Sequence, residues 1–269
     1  MCGLTGLIFG KRERSKEEYE YLMDVFTTAF LFSEERGHHA SGIVRMSIDG
    51  NYKLYKLPVA PSKMIDISTY NDILDKVDDR TTILMGHSRW KTVGTEFKNY
   101  NNQPIMAGSI LGTHNGTISN YDSLFQIYQF KRFAEVDSEI LFRMADASLQ
   151  DGIIQTGNLN NYLSKCRGSL SFVFVSKTDP GSVYLYHGDK PLFLYYNPEL
   201  QVLIYSSSKT YIENALVDLR GWVSIQFPEN KMYQTTYSDF TNIVSENFFF
   251  ERNLPMKKHE YSLQKSLFR

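Results

Sequence analysis

The 269-residue sequence is poor in several features, and each shortage closes a line of interpretation. Two cysteines, Cys2 and Cys166, are too few in a chain of this size for a disulfide framework, so both are read as reduced thiols, Cys166 as a small buried hydrophobe. No apolar run approaches the ~20 residues needed to span a bilayer; "LSFVFV" reads as a buried strand instead. Charge of either sign is not in excess. With 29 Lys+Arg against 30 Asp+Glu the formal net charge is −1, which gives no overall field to draw nucleic acid or an anionic membrane. A signal peptide is excluded by order, because the apolar residues of "MCGLTGLIFG" precede the charges Lys11-Arg12-Glu13-Arg14 rather than following them. Metal-ligand spacing is missing too. His38, His39, His87 and His114 form no His-x₃-His pattern, and adjacent histidines on an extended segment point to opposite faces. These absences predict a cytoplasmic protein with no metal, no cofactor and no nucleic-acid or membrane partner.

What is present is a well-stocked globular core: 42% apolar residues, with 18 Phe and 18 Tyr, in a chain long enough to bury roughly 70–75% of its unfolded surface. "SKEEYEYLMDVFTTAFLFSEERG" predicts a helix with Ser15 at its N-cap, Glu18 completing a capping box and Gly37 just past its end. Tyr19, Leu22, Met23, Phe26 and Phe30 give it one broad apolar face. Strands are predicted at "GIVRMSI", "YKLYKL", "TILMGHS" and "SILGTH", then helices near Tyr121–Phe130 and Asp137–Leu149, then strands at "LSFVFVS", "SVYLYHG", "LFLYYN" and "QVLIYSS". Strands, helices and strands again predict an α+β body of two mostly antiparallel sheets covered by helices. No repeat, low-complexity stretch or linker divides it. We read one domain over residues 1–237 and a tail over 238–269, which packs on the domain or on a partner; its basic piece "KKHEYSLQKSLFR" reads as a solvated helix face.

The polar islands are ordinary when taken singly. "RGHHASG" reads as a turn, "GHSRWKTVG" as a strand end with a surface salt bridge, "THNGTISN" as an Asn-Gly hairpin and "VDSEI" as a helix start capped by Asp137. Their order is not ordinary. Cys2-Gly3, Arg36-Gly37 with Ser41-Gly42, Gly86-His87-Ser88-Arg89-Trp90, Asn101 with Gln103-Pro104, His114-Asn115-Gly116 and Val136-Asp137-Ser138-Glu139 occur in the succession seen in the class II glutamine amidotransferases. The sequence resembles the glutaminase halves of glucosamine-6-phosphate synthase and amidophosphoribosyltransferase from Cys2 to about Gln234. The resemblance implies a four-layer αββα N-terminal-nucleophile hydrolase sandwich. It also implies hydrolysis of the side-chain amide of L-glutamine through a Cys2 thioester, with Asn115 and Gly116 as the oxyanion hole. Arg89 and Asp137 take the substrate's α-carboxylate and α-ammonium, Trp90 and Thr92 line the pocket, and Arg36 braces the loop near the nucleophile.

These residue types suit the chemistry. Once Met1 is removed, Cys2 offers a thiol of ordinary pKa ~8.5 and an α-amine of ~7.7–8.0, nucleophile and base on one residue. A retained Met1 would acylate that amine. Two positions depart from the family pattern: His39 stands where the family has aspartate, and Val93 where the sugar-phosphate branch has histidine. Gln103 before Pro104 resembles the amidophosphoribosyltransferase branch. The ammonia acceptor is expected on a separate synthase chain, docked near the Trp90 loop or near the aromatic segment "NFFFERNLP", which has the alternative of folding onto this domain's own core. A catalytically silent binding subunit and an amidase acting on a γ-glutamyl compound remain the competing readings.

Overall fold

The computed structural model describes residues 1–219, 221–240 and 242–252. Its strands are β1 (Gly3–Phe9), β2 (Ala40–Ser47), β3 (Tyr52–Leu57), β4 (Thr81–Arg89), β5 (Ile105–Ala107), β6 (Ile110–Ile118), β7 (Leu149–Gln150), β8 (Ile153–Ile154), β9 (Arg167–Ser176), β10 (Ser182–His187), β11 (Phe193–Asn197), β12 (Val202–Ser206), β13 (Val223–Ile225), β14 (Lys231–Thr236), β15 (Val244–Asn247) and β16 (Glu251–Arg252). Its α-helices are α1 (Lys16–Phe32), α2 (Pro61–Met64), α3 (Ser68–Leu74), α4 (Tyr121–Tyr128), α5 (Glu139–Ala147), α6 (Thr156–Leu163) and α7 (Lys209–Ala215).

Two large sheets carry the fold. The first runs β13-β11-β12-β1-β4-β2-β3 and the second β15-β14-β10-β9-β6-β5, all antiparallel along those paths, with β16 added parallel to the start of β9. Three apolar clusters define the layers between and outside them. Leu7, Phe9, Ile43, Leu84 and Ile204 of the first sheet pack against Leu22, Phe26 and Phe30 of α1 and Ile212 of α7. Leu4, Ile8, Met85, Leu111, Val173 and Leu185 interdigitate between the two sheets. Phe172, Phe174 and Tyr186 of the second sheet pack against α5 and α6 through Phe142 and Leu159. The result is the αββα sandwich implied by the sequence.

Local chemistry explains the elements. α1 starts where the Ser15 hydroxyl accepts the Glu18 N–H and the Glu18 carboxylate accepts the Ser15 N–H, the reciprocal capping that satisfies two orphan donors. β1 is buried along its whole length because its alternate residues serve both the α1 layer and the inter-sheet layer. That placement accounts for its apolar, small-residue sequence. "THNGTISN" is no hairpin: it continues β6, paired residue by residue with β9. The second sheet also runs on past Tyr237. β15 pairs with β14, and Phe248 is fully buried against the Tyr186 ring at 4.9 Å, so the "NFFF" part of the aromatic segment folds onto this domain's own core while Phe249 is exposed. The basic C-terminal piece lies outside the described residues. No described helix is long and apolar enough to cross a membrane.

Candidate active site

Strand alternation puts the candidate residues on one side of their sheets. Leu111 of β6 faces the inter-sheet core, so Asn115, four residues on, projects the same way. Met85 of β4 does likewise, which sends His87 and Arg89 into the same gap. Gly3 pairs with Ser88, so Cys2 sits beside Arg89 at the start of β1. The Cys2 thiol donates to the Trp90 carbonyl at 3.8 Å, and the Arg36 guanidinium donates through Nε to the Cys2 carbonyl at 3.0 Å. Arg36 thus braces the backbone of Cys2 itself.

A two-residue step joins the sheets at this end. The Asn102 side chain accepts from Arg89 at 2.8 Å, fixing the end of β4. Next to it, Gln103 accepts the His114 N–H at 2.6 Å and donates to the His114 carbonyl at 3.1 Å, fixing β6 immediately before Asn115. Ser138 Oγ accepts from Gln103 Nε2 at 3.2 Å and meets His114 Nδ1 at 2.9 Å, which brings in the residue after Asp137. The Asp137 carboxylate accepts the Ile118 N–H at 2.7 Å rather than capping a helix. Glu139, almost fully buried, accepts from the Phe133 and Ala134 N–H groups and from Arg143, and so anchors the loop that delivers Asp137. In the sequence, Ser138 and Glu139 stand only as neighbours of Asp137, with no task of their own, and Asn102 is not singled out. Asn102 meets Arg89 across 13 residues and Ser138 meets Gln103 across 35, while Glu139 holds backbone N–H groups five and six residues back, and no local periodicity announces these contacts.

Arg89 is 4% exposed and makes no salt bridge among the described residues. Besides Asn102 it donates to the carbonyls of Val93 at 2.6 Å and Gly94 at 2.9 Å, so three of its five N–H groups are committed to loop 90–98 and its brace. The loop itself is laced by Asn102 to the Glu96 carbonyl and by Asn101 to the Thr95 carbonyl and Glu135. Trp90 and Thr92 are exposed on it. His39 is held by contacts of its own: its Nδ1 accepts the Lys91 N–H at 3.2 Å, its backbone N–H donates to the Arg89 carbonyl, and its ring stacks on His38 with Trp90 edge-on.

The electrostatics of the gap follow from burial. Desolvation pushes the Cys2 thiol up, against the lowering effects of the Trp90 contact, the N-terminal amine and Arg89. Burial, helped by the Arg89 charge, pushes His87 down to about 3 and leaves it neutral. His114 is lowered for the same reason. Lys56 is pushed down to about 8 by burial and by Arg89. Asn115 is the sharpest case: it is fully buried, and neither its Nδ2 nor its Oδ1 has a protein partner among the described residues. A buried amide normally finds partners, because leaving one unpaired costs roughly 1–3 kcal/mol. Gly116, beside it, holds φ at +146°, and a Cβ there would lie 2.1 Å from the Ser169 carbonyl oxygen.

Comparison with known proteins gives the same assignment. The family described as "Glutamine amidotransferase domain" matches residues 87–214. The fold matches that of the glutamine phosphoribosylpyrophosphate amidotransferase from B. subtilis over 92% of this chain and 49% of that one, with a TM-score of 0.65 at 20% identity. This chain carries a class II glutamine amidotransferase domain. The amidotransferase domain is 30% identical over 215 residues to 7-cyano-7-deazaguanine synthase from Saccharolobus solfataricus, covering 79% of this chain and 44% of that protein. It is 24% identical over 197 residues to a glutamine–fructose-6-phosphate aminotransferase (isomerizing) of Staphylococcus epidermidis, covering 72% and 30% respectively. The chain therefore spans less than half the length of these curated relatives.

Proposed function

We propose that this amidotransferase domain hydrolyses the side-chain amide of L-glutamine through a Cys2 thioester, giving glutamate and ammonia. Met1 is 62% exposed, so its removal is unobstructed and frees the Cys2 α-amine. A thiol raised by burial needs a base, and the amine, with an ordinary pKa of about 7.7–8.0, supplies it through a water. The thiol sulfur attacks the amide carbon as its proton passes to the amine. Asn115 Nδ2 and the Gly116 N–H stabilise the oxyanion, and the amine then protonates the departing ammonia. The same amine takes a proton from water, which attacks the thioester and releases glutamate.

Substrate selection falls to Arg89 for the α-carboxylate and Asp137 for the α-ammonium, with Trp90 and Thr92 at the pocket edge. The observation that carries this reading is the unpartnered amide of Asn115, aimed into the gap that Cys2 and Arg89 share. The ammonia passes to a synthase module outside the sequence described here. The names of the curated relatives, a synthase and an aminotransferase, support such an acceptor without identifying it.

Purified protein whose intact mass shows Met1 removed is expected to release ammonia from L-glutamine, and Cys2→Ala to release none. An electrophilic glutamine analogue is expected to add one label to Cys2. Processed protein that neither turns over glutamine nor takes the label would overturn the reading in favour of a silent subunit. Turnover of γ-glutamyl amides but not of glutamine would reassign the substrate.

A further inference from the structure

Lys56 stands on β3 opposite Gly42 of β2, on the face that looks into the inter-sheet gap. The missing side chain at 42 makes its route. A Cβ there would lie 2.9 Å from Lys56 Cγ, 2.3 Å from the Gln103 carbonyl oxygen and 3.0 Å from Pro104 Cδ, so the lysine stem crosses the strand pressed against the segment that joins the sheets. At its end Nζ donates to the carbonyl of Asn102 at 2.8 Å. Asn102 is fully buried and held at both ends: its carbonyl by Lys56, its side-chain oxygen by Arg89.

The surroundings do not explain a lysine here on stability grounds. No described carboxylate pairs with Lys56, and the nearby ionisable groups that sense it, Arg89 and His87, are basic. The acid on the facing helix, Glu139, is occupied by Arg143 and two backbone N–H groups. On its outer side Lys56 lines a cavity of about 460 Å³ with Leu54, Tyr100, Met106 and Phe133; Glu139 and Arg143 line it too but are paired with each other, so no free carboxylate there calls for an amine at 56. What the amine uniquely supplies is a donor to one carbonyl, placed directly behind the side chain that aims Arg89.

We infer that Lys56 is a positioning residue for glutamine recognition, its amine fixing the Asn102 peptide so that the Asn102 side chain holds Arg89 aimed into the gap. The inference rests on the reading of Arg89 as the carboxylate clamp. Without the amine, the Asn102 carbonyl is left buried and unpaired, Asn102 turns to recover a partner, and Arg89 relaxes toward the Val93 and Gly94 carbonyls it already touches. Lys56 contacts neither Cys2 nor Asn115, so the bond-making steps are spared.

The test is glutamine kinetics on Lys56→Met, which keeps the stem, and Lys56→Arg, which keeps a charged donor. Lys56→Met is expected to raise KM for L-glutamine about tenfold, the size of one charge-assisted hydrogen bond, with kcat within twofold; Lys56→Arg is expected to recover most of the KM. Binding of L-glutamine to Cys2→Ala protein, with and without Lys56→Met, should show the same tenfold loss by calorimetry. An unchanged KM in Lys56→Met, or a fall in kcat equal to the loss in kcat/KM, overturns the positioning role while leaving the glutaminase reading intact. Cys2→Ala protein that binds no glutamine at all overturns both.

Discussion

Replacing Asn115 with leucine is expected to move stability and activity in opposite directions. The side chain is fully buried and neither amide atom has a protein partner among the described residues, so its desolvation, roughly 1–3 kcal/mol, is not offset by a protein hydrogen bond there. Leucine has nearly the same shape and removes that cost, and it sits among residues that extend the inter-sheet core of Leu4, Met85 and Leu111. Stability should rise by about 1–3 kcal/mol, which for a domain of this size is a Tm gain of roughly 2–10 °C. On the proposed mechanism the same change deletes one oxyanion donor and should lower kcat by about 10²–10³. Thermal unfolding by circular dichroism and ammonia release, measured on one preparation, read both effects. A lower Tm with unchanged secondary structure would mean that the amide is part of the fold's hydrogen bonding; glutaminase activity within tenfold of the parent would remove Asn115 from the oxyanion hole.

Other outcomes follow from single contacts. Gly116→Ala forces a Cβ onto the Ser169 carbonyl at a φ that disfavours side chains, and should destabilise by about 2–4 kcal/mol in urea titration as well as reduce kcat. His87 binds a proton in the unfolded chain below about pH 6.5 but in the folded chain only near 3, so folding loses stability as pH falls through that window and has the full contribution above it. Between pH 7 and 5 wild type should therefore lose about 2 kcal/mol more than His87→Leu in paired urea titrations; equal losses would show that His87 charges freely in the fold. Ser15→Ala breaks the α1 capping box and should cost about 1 kcal/mol with kcat unchanged. Arg36→Met frees the Cys2 carbonyl, and should lower kcat without altering Tm by more than a few degrees.

The parts of this molecule legible in its sequence are those written in neighbouring residues. Ser15 and Glu18 mark the start of α1, and the alternating Phe and Tyr of β9 and β10 mark the centre of the second sheet, because capping and strand alternation act over two to four positions. Helices α3 and α6, and strands β14 and β15, are short and weakly patterned, and tertiary pairing rather than propensity places them. At the site, Cys2, Arg89, Asn115 and Asp137 stand out by their order along the chain. Their supports do not: the Asn102 and Gln103 contacts are long-range, and only the folded chain shows that loop carbonyls already occupy much of Arg89. Taken singly, the Asn-Gly pair in β6 carries a turn signal, but its glycine serves a strand that must pass close to Ser169.

β16 ties the last described residues to the start of β9. Arg252 lies alongside Gly168, whose other neighbour is Ile118, and the Ile118 amide is the one Asp137 grips. The described residues therefore finish two strands away from the Asp137–Ile118 contact, so β16, β9 and β6 form one hydrogen-bonded path from Arg252 to the strand that carries Asn115 and Gly116.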